Sequence, residues 1–120
     1  MHKQRLLTLA KYLRAEVNPK KFDMEYWKCG SVCCAVGHAA SIPEFNKLGF
    51  TIKKQIKTSR YCAPGYKGHV SWDAIRKFFN LSDPESDYLF SSFCYRDSKI
   101  LPSTVANRIE KFVKSGGETP

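Results

Sequence analysis

Prolines and glycines punctuate the 120-residue chain at Asn18-Pro19, Gly30, Ile42-Pro43, Gly49, Pro64-Gly65, Gly68, Pro102 and Gly116-Gly117, and the apolar periodicity changes between these points. Leu6, Leu9, Leu13 and Val17 recur at helical spacing, with Lys3, Arg5, Lys11 and Arg14 elsewhere around the turn, which predicts an amphipathic helix over residues 3–17. Asn18-Pro19 ends it, because proline disfavours the helical conformation of the residue before it and brings no amide donor. Phe22 to Lys28 has no clean period and reads as an irregular connector whose aromatics wedge against the core.

After Gly30, Ser31 is placed to cap a helix of small residues from Val32 to Ala40 that stops before Ile42-Pro43, and a short turn from Pro43 to Leu48 ends on Gly49. From Phe50 the pattern changes: Phe50, Ile52, Lys54 and Ile56 alternate with Thr51, Lys53, Gln55 and Lys57, which predicts a strand with a cationic exposed face. Pro64-Gly65 is a turn signal and residues 63–69 read as a loop closing a small hairpin. Ser71 is expected to cap a helix carrying Trp72, Ile75, Phe78 and Phe79 and stopping near Asn80. Ser82 and Glu85 form a capping box for the next helix, and Pro102 opens a last one along Val105, Ile109, Phe112 and Val113, released by Gly116-Gly117. The expected fold class is α+β, mainly α: about five short helices around one core with a small two-stranded β element in the middle, residues 1–120 forming a single globular domain.

Composition narrows the function. With 42% hydrophobic, 13% aromatic and 26% charged residues the chain carries enough apolar surface to fold, against disorder or coiled coil. Twenty Lys and Arg against eleven Asp and Glu leave +9, which excludes an acidic DNA mimic and favours anionic partners. No apolar run has the length of a membrane span, and Leu6 to Ala10 is too short, too soon interrupted by Lys11, for a signal peptide, so no membrane partner and a cytoplasmic setting are expected. Five cysteines, an odd number with three crowded together, fit reduced thiols better than a disulfide framework.

The stretch Cys29-Gly30-Ser31-Val32-Cys33-Cys34-Ala35-Val36-Gly37-His38-Ala39 resembles the C-G-[ST]-x-x-C-x-x-G-[HW]-A motif of an uncharacterised family of small phage, prophage and bacterial proteins. Phe22-Asp23-Met24 and Trp27 precede it as they do in that family, and the likeness continues through Pro64, Tyr66, Gly68, Phe78 to Ser82, Leu89-Phe90 and Val105 to Ile109. Cys33 is an extra thiol relative to the pattern, and Asn80 stands where it often has glycine. The resemblance implies a phage or mobile-element setting, hence the cytoplasm of a bacterial host, and an accessory role such as inhibition or anti-defence.

Two groups of residues carry chemistry. Cys29 precedes an expected helix N-terminus, which favours thiolate, and His38 follows Cys34 by one helical turn, so a small cysteine-dependent enzyme would use Cys29 or Cys34 as nucleophile and His38 as base. No orienting third residue or oxyanion motif accompanies them. The structural alternative makes the cysteines small buried residues, Gly37 the site of a close helix crossing, and His38 the partner of a buried carbonyl. Zinc on Cys29, Cys34 and His38, with Cys62, His69 or Cys94 brought in by folding, is the remaining reading, although the spacing lacks the second ligand pair of common zinc knuckles. No metal and no cofactor is the expectation.

The second group lies between Phe45 and Trp72, where Lys47, Lys53, Lys54, Lys57, Arg60 and Lys67 stand without one Asp or Glu and Tyr61 and Tyr66 are interleaved. Cations that neutralise phosphate beside rings that stack or pack suit a nucleotide or a single strand. The plainer reading is a solvated strand face protected by lysines. Asp83, Glu85, Asp87 and Asp97 concentrate acid later in the chain, so the charge is polar. No phosphate-binding loop or dinucleotide fingerprint is present, and sequence-specific duplex reading fits poorly. The favoured function is a non-enzymatic binding protein whose Lys53, Lys54, Lys57, Arg60, Tyr61, Tyr66 and Lys67 sequester or block an anionic partner: a nucleotide signal, a nucleic acid or a host defence protein. Monomer and dimer are not distinguished by the sequence.

Overall fold

Four apolar positions one helical turn apart become the first structural seam. In a computed structural model that describes residues 1–27, 32–54 and 62–120, α1 (Lys3–Glu16) buries Leu6, Leu9 and Leu13. It lies along α6 (Pro102–Lys114), which buries Val105, Ile109 and Phe112. Arg14 closes the outer edge of this pair, 2.5 Å from Glu110 and hydrogen-bonded to Asn107. Beyond α1, Asn18 accepts the Lys20 amide at 2.9 Å and starts a short 3-10 turn, Pro19–Lys21.

The chain then pairs with a segment eleven residues on. Phe22 and Cys33 form a parallel bridge in which the Cys33 amide donates to the Lys21 carbonyl (3.1 Å) and the Asp23 amide to the Cys33 carbonyl (3.0 Å). That pairing takes Val32-Cys33 out of the helix the small-residue run predicts. The observed α2 is Ala35–Ala39, with Cys34 rather than Ser31 at its N-cap; Ser31 lies outside the described residues. The short α3 (Pro43–Lys47) ends, as expected, on Gly49 at φ +97°.

The sheet has three antiparallel strands in the order β1 (Thr51–Lys54), β2 (Cys62–Tyr66), β3 (His69–Val70), one more than expected. Pro64-Gly65 is not its turn. Pro64 lies within β2 opposite Ile52, and it is tolerated there because β3 reaches only Gly65 and Tyr66, leaving β2 a neighbour on one side at the proline. The chain reverses at Lys67-Gly68, with φ of +47° and +84°, the positive pair that a two-residue hairpin of primed type demands.

α4 (Ser71–Phe79) follows β3 directly, so Ser71 is its first residue and not its cap. It ends on Asn80 in the left-handed region, φ +53°. α5 (Asp83–Phe90) carries the expected capping box: the Ser82 amide donates to Glu85 Oε1 at 2.8 Å and the Glu85 amide to Ser82 Oγ at 3.4 Å. A 3-10 turn, Ser92–Cys94, leads towards α6. The described residues thus form six α-helices and a small antiparallel sheet, an α+β fold that is mainly α. Sheet and helices meet at Phe78, whose ring lies 4.8 Å from Phe45, 4.5 Å from Phe50, 5.0 Å from Tyr66 and 5.0 Å from Phe79, centroid to centroid.

Candidate functional site

Of the anion-binding residues expected from sequence, Lys53, Lys54, Tyr66 and Lys67 fall on described backbone, and the antiparallel register decides how they relate. Lys53 stands opposite Ala63 and Lys54 opposite Cys62, at the end of the strand pair away from the hairpin turn. Lys53 is exposed; of Lys54 only the backbone is described. Lys57, Arg60 and Tyr61 lie outside the described residues.

Lys67 is placed at the other end. It stands five residues beyond Cys62, about 16 Å away at the usual strand rise, on the exposed hairpin turn. Tyr66 is not a free stacking face: the ring is buried edge-on against Phe78, and the Lys67 ammonium sits 5.3 Å from its centroid. Tyr66 therefore packs, fixing the strand to the core and giving Lys67 an aromatic floor. Trp72 likewise turns towards protein, edge-on to Trp27 at 6.2 Å. The backbone places Lys53 and Lys54 at one end of a strand pair and Lys67 at the other, and consecutive strand positions such as 53 and 54 belong to opposite faces of the sheet.

A groove of about 440 Å³ continues beyond the hairpin, lined by His69, Asp73, Arg76, Lys77 and Asn80 among others. Its arginine is already neutralised: Arg76 Nη1 lies 3.1 Å from Asp73 Oδ1, and Nε lies 2.9 Å from Asp83 Oδ1 as an ion pair without hydrogen-bond geometry. Lys77, which also lines this groove, is exposed.

The cysteine cluster is built as part of the core. Cys34 is 2% exposed, its amide donating to the Tyr26 carbonyl at 2.6 Å. Burial pushes its thiol up to about 12, overriding the amides of Val36 and Gly37 that favour the thiolate. His38 is half-buried, stacked on Phe22 at 6.0 Å, with Nε2 2.8 Å from the Lys21 carbonyl oxygen. Burial lowers its pKa below the ordinary histidine value, against the backbone contacts with Lys21 and Cys33 that raise it. This is the carbonyl-satisfying role: His38 clamps the Phe22–Cys33 bridge to α2. Gly37 is required by close approach, but of a loop and not of a helix, since a Cβ there would lie 1.9 Å from the Trp27 carbonyl oxygen. Cys29 lies outside the described residues. Among the described residues no three His, Cys, Asp or Glu side chains gather as a metal-ligating group, Cys34, His38, Cys62, His69 and Cys94 included.

The feature that the sequence did not announce is the 3-10 turn Ser92–Cys94, where Phe93 is 96% exposed. Its polar neighbours Ser91 and Ser92 are the one local hint that this aromatic faces outward. No helix among the described residues is long and apolar enough to cross a membrane. No family model, no curated protein and no solved structure matches the chain.

Proposed function

We propose that this protein acts by occupancy, without chemistry, holding a nucleic acid strand along its cationic strand pair and withholding that strand from other proteins. The observation that carries this reading is the separation of Lys53 and Lys54 from Lys67 along one strand pair, about 16 Å from end to end. A single nucleotide presents its charge in one place. A strand carries one charge per nucleotide along its length, so a separation of this kind is met by successive phosphates of one strand and not by a single nucleotide. Lys57, Arg60 and Tyr61 extend the same run in sequence and supply further charge and a ring for stacking. The net charge of +9 adds long-range attraction for such a polyanion.

Thiol catalysis fits less well, because the nucleophile would have to leave a buried, strongly protonated state at Cys34 and His38 spends its Nε2 on a backbone carbonyl. The resemblance to phage and prophage proteins supports a bacterial cytoplasm as the setting and inhibition of a host process as the consequence. The test is fluorescence anisotropy with a labelled single-stranded oligonucleotide of about 20 nucleotides, at salt from ~50 to ~200 mM, for the native chain and the Lys54→Glu/Arg60→Glu double variant. The native chain should bind with a steep salt dependence, and the double variant should lose at least about tenfold in affinity and about two units of log–log salt slope. Equal affinity of both proteins at low salt overturns the site. Tighter binding of a mononucleotide than of the strand overturns the choice of partner.

A further inference from the structure

The seam between α1 and α6 sets a second group of cations side by side. The two helices run antiparallel: Arg14, in the last turn of α1, meets Glu110 and Asn107 halfway along α6, and at the other end a Cβ on Gly117 would lie 3.3 Å from Met1 Cε. Lys3, Leu7 and Lys11 follow one another at intervals of four, about 40° apart around α1, so they share the flank from which Arg14 reaches α6. Lys114 stands one turn beyond Glu110 on α6, which in an antiparallel pair brings it level with Leu7, and Lys111 is its neighbour on the outer side. All four lysines are exposed, and Leu7 is 41% exposed among them. The carboxylate on this seam, Glu110, is taken up by Arg14 at 2.5 Å. Glu16 lies about 140° around α1 from Lys11. Glu85, which reaches Gly117, holds the Ser82 amide, and Glu118 lies past the end of α6. Among the described residues no ion pair involves Lys3, Lys11, Lys111 or Lys114.

We propose that this helical face is a second nucleic-acid surface, which takes the sugar-phosphate backbone of a segment other than the one on the strand pair, so that one molecule bridges two segments. The class of partner rests on the proposed function; the residues do not. Lys3 and Lys11 are about 12 Å apart along α1, and Lys111 and Lys114 lie across the seam from them, so the cations form a plane and not a pocket. A plane of separated charges suits a polyanion better than one small anion. Lys111 and Lys114, three apart on one helix, repel each other in water, and the packing of α6 on α1 adds Lys11 to them. Phosphates relieve that repulsion. Leu7 offers an apolar spot on which a sugar or the edge of a base can rest. The second segment follows from the layering. Phe78 of α4 packs its ring on Phe50 and Tyr66 on the sheet side, while its carbonyl accepts from Arg5 of α1, so α4 stands between the strand pair and this helix. Lysines that meet phosphate carry no base reading, so binding here is independent of sequence.

The experiment is calorimetric titration of the full-length chain with an oligothymidylate of about 8 nucleotides, a length one small surface can hold, at ~50 mM NaCl. Four proteins are compared: the native chain, Lys11→Glu/Lys114→Glu, Lys54→Glu/Arg60→Glu, and the combination of all four substitutions. The native chain should take two oligonucleotides, each double variant one, and the combined variant none. Lys11 and Lys114 are exposed, so the helical variant should keep the native far-ultraviolet spectrum. The milder Lys11→Gln/Lys114→Gln should weaken the second binding event at least about fivefold without adding acid. A single site that only the strand-pair variant removes overturns this inference and leaves the proposed function standing. A single site that only the helical variant removes keeps the helical face and overturns the strand pair. A native chain that takes no oligonucleotide overturns both, and one that prefers vesicles of anionic phospholipid through these same lysines overturns the choice of partner.

Discussion

At the scale of single residues, the Cys34–His38 pair shows how the same two side chains can suggest a catalytic dyad in sequence and act as scaffold in the fold. The small residues around them imply close packing in either case; what separates the readings is whether the sulfur meets water. Burial that moves a thiol from the usual range to about 12 leaves roughly a thousandfold less thiolate near neutral pH. Iodoacetamide at pH 7.5 should therefore label exposed Cys94 readily and Cys34 only after denaturation, as read by mass spectrometry of quenched samples. Fast labelling of native Cys34 would restore the enzyme reading. His38 makes a second prediction, with a definite sign. Its pKa is lower in the folded than in the unfolded chain, so between those two values the unfolded state holds more protons and stability falls with falling pH. The contribution is full above the unfolded value near 6.5 and is lost as pH falls through the folded one. The melting temperature should drop between pH 7.5 and pH 5.5, and His38→Gln should shrink that drop.

At the scale of elements, what was legible in the sequence was what is decided locally. The Ser82–Glu85 capping box, the stop at Asn80 and the seam of α1 each depend on residues within one or two turns, and each is found where the spacing predicts it. The misplaced boundaries depend on partners far along the chain. Nothing near Val32 says that Cys33 will bond to Lys21 and Asp23, yet those bonds delay α2 to Ala35. Nothing near Pro64 says that β3 is only two residues long, which is what lets proline lie inside a strand. The hairpin turn then falls on Lys67-Gly68, and lysine is a poor occupant of a left-handed position that asparagine takes easily. Lys67→Asn should raise stability by about 0.5 kcal/mol in urea unfolding, from the better turn, while removing one cation from the strand pair. If the strand pair binds as proposed, the same variant should lose about one unit of salt slope in oligonucleotide binding. A more stable protein that binds less well separates the two roles of this residue; unchanged binding would remove Lys67 from the site.

At the scale of the whole molecule, the charge that composition reveals at once is organised by contacts that composition cannot reveal. The aromatic cluster around Phe78 holds the sheet against α4, and Arg5 reaches from α1 to the Phe78 carbonyl at 2.7 Å with its guanidinium 4.4 Å from the ring. The strand that carries Lys53 and Lys54 is thus anchored to the helical core through the adjacent Phe50. Excess charge of one sign costs the folded state through self-repulsion, and added salt relieves it. The same salt competes with the protein's cations for phosphate and weakens binding to a strand. The described ion pairs are few and their carboxylates are exposed, so their screening works against the stabilisation only weakly. Raising NaCl from ~50 to ~500 mM should therefore raise the melting temperature by a few degrees while lowering oligonucleotide affinity by two orders of magnitude or more. Both quantities are measurable on one preparation across one buffer series. Melting temperature and affinity falling together would show that surface pairing, and not net repulsion, dominates the electrostatics of the fold.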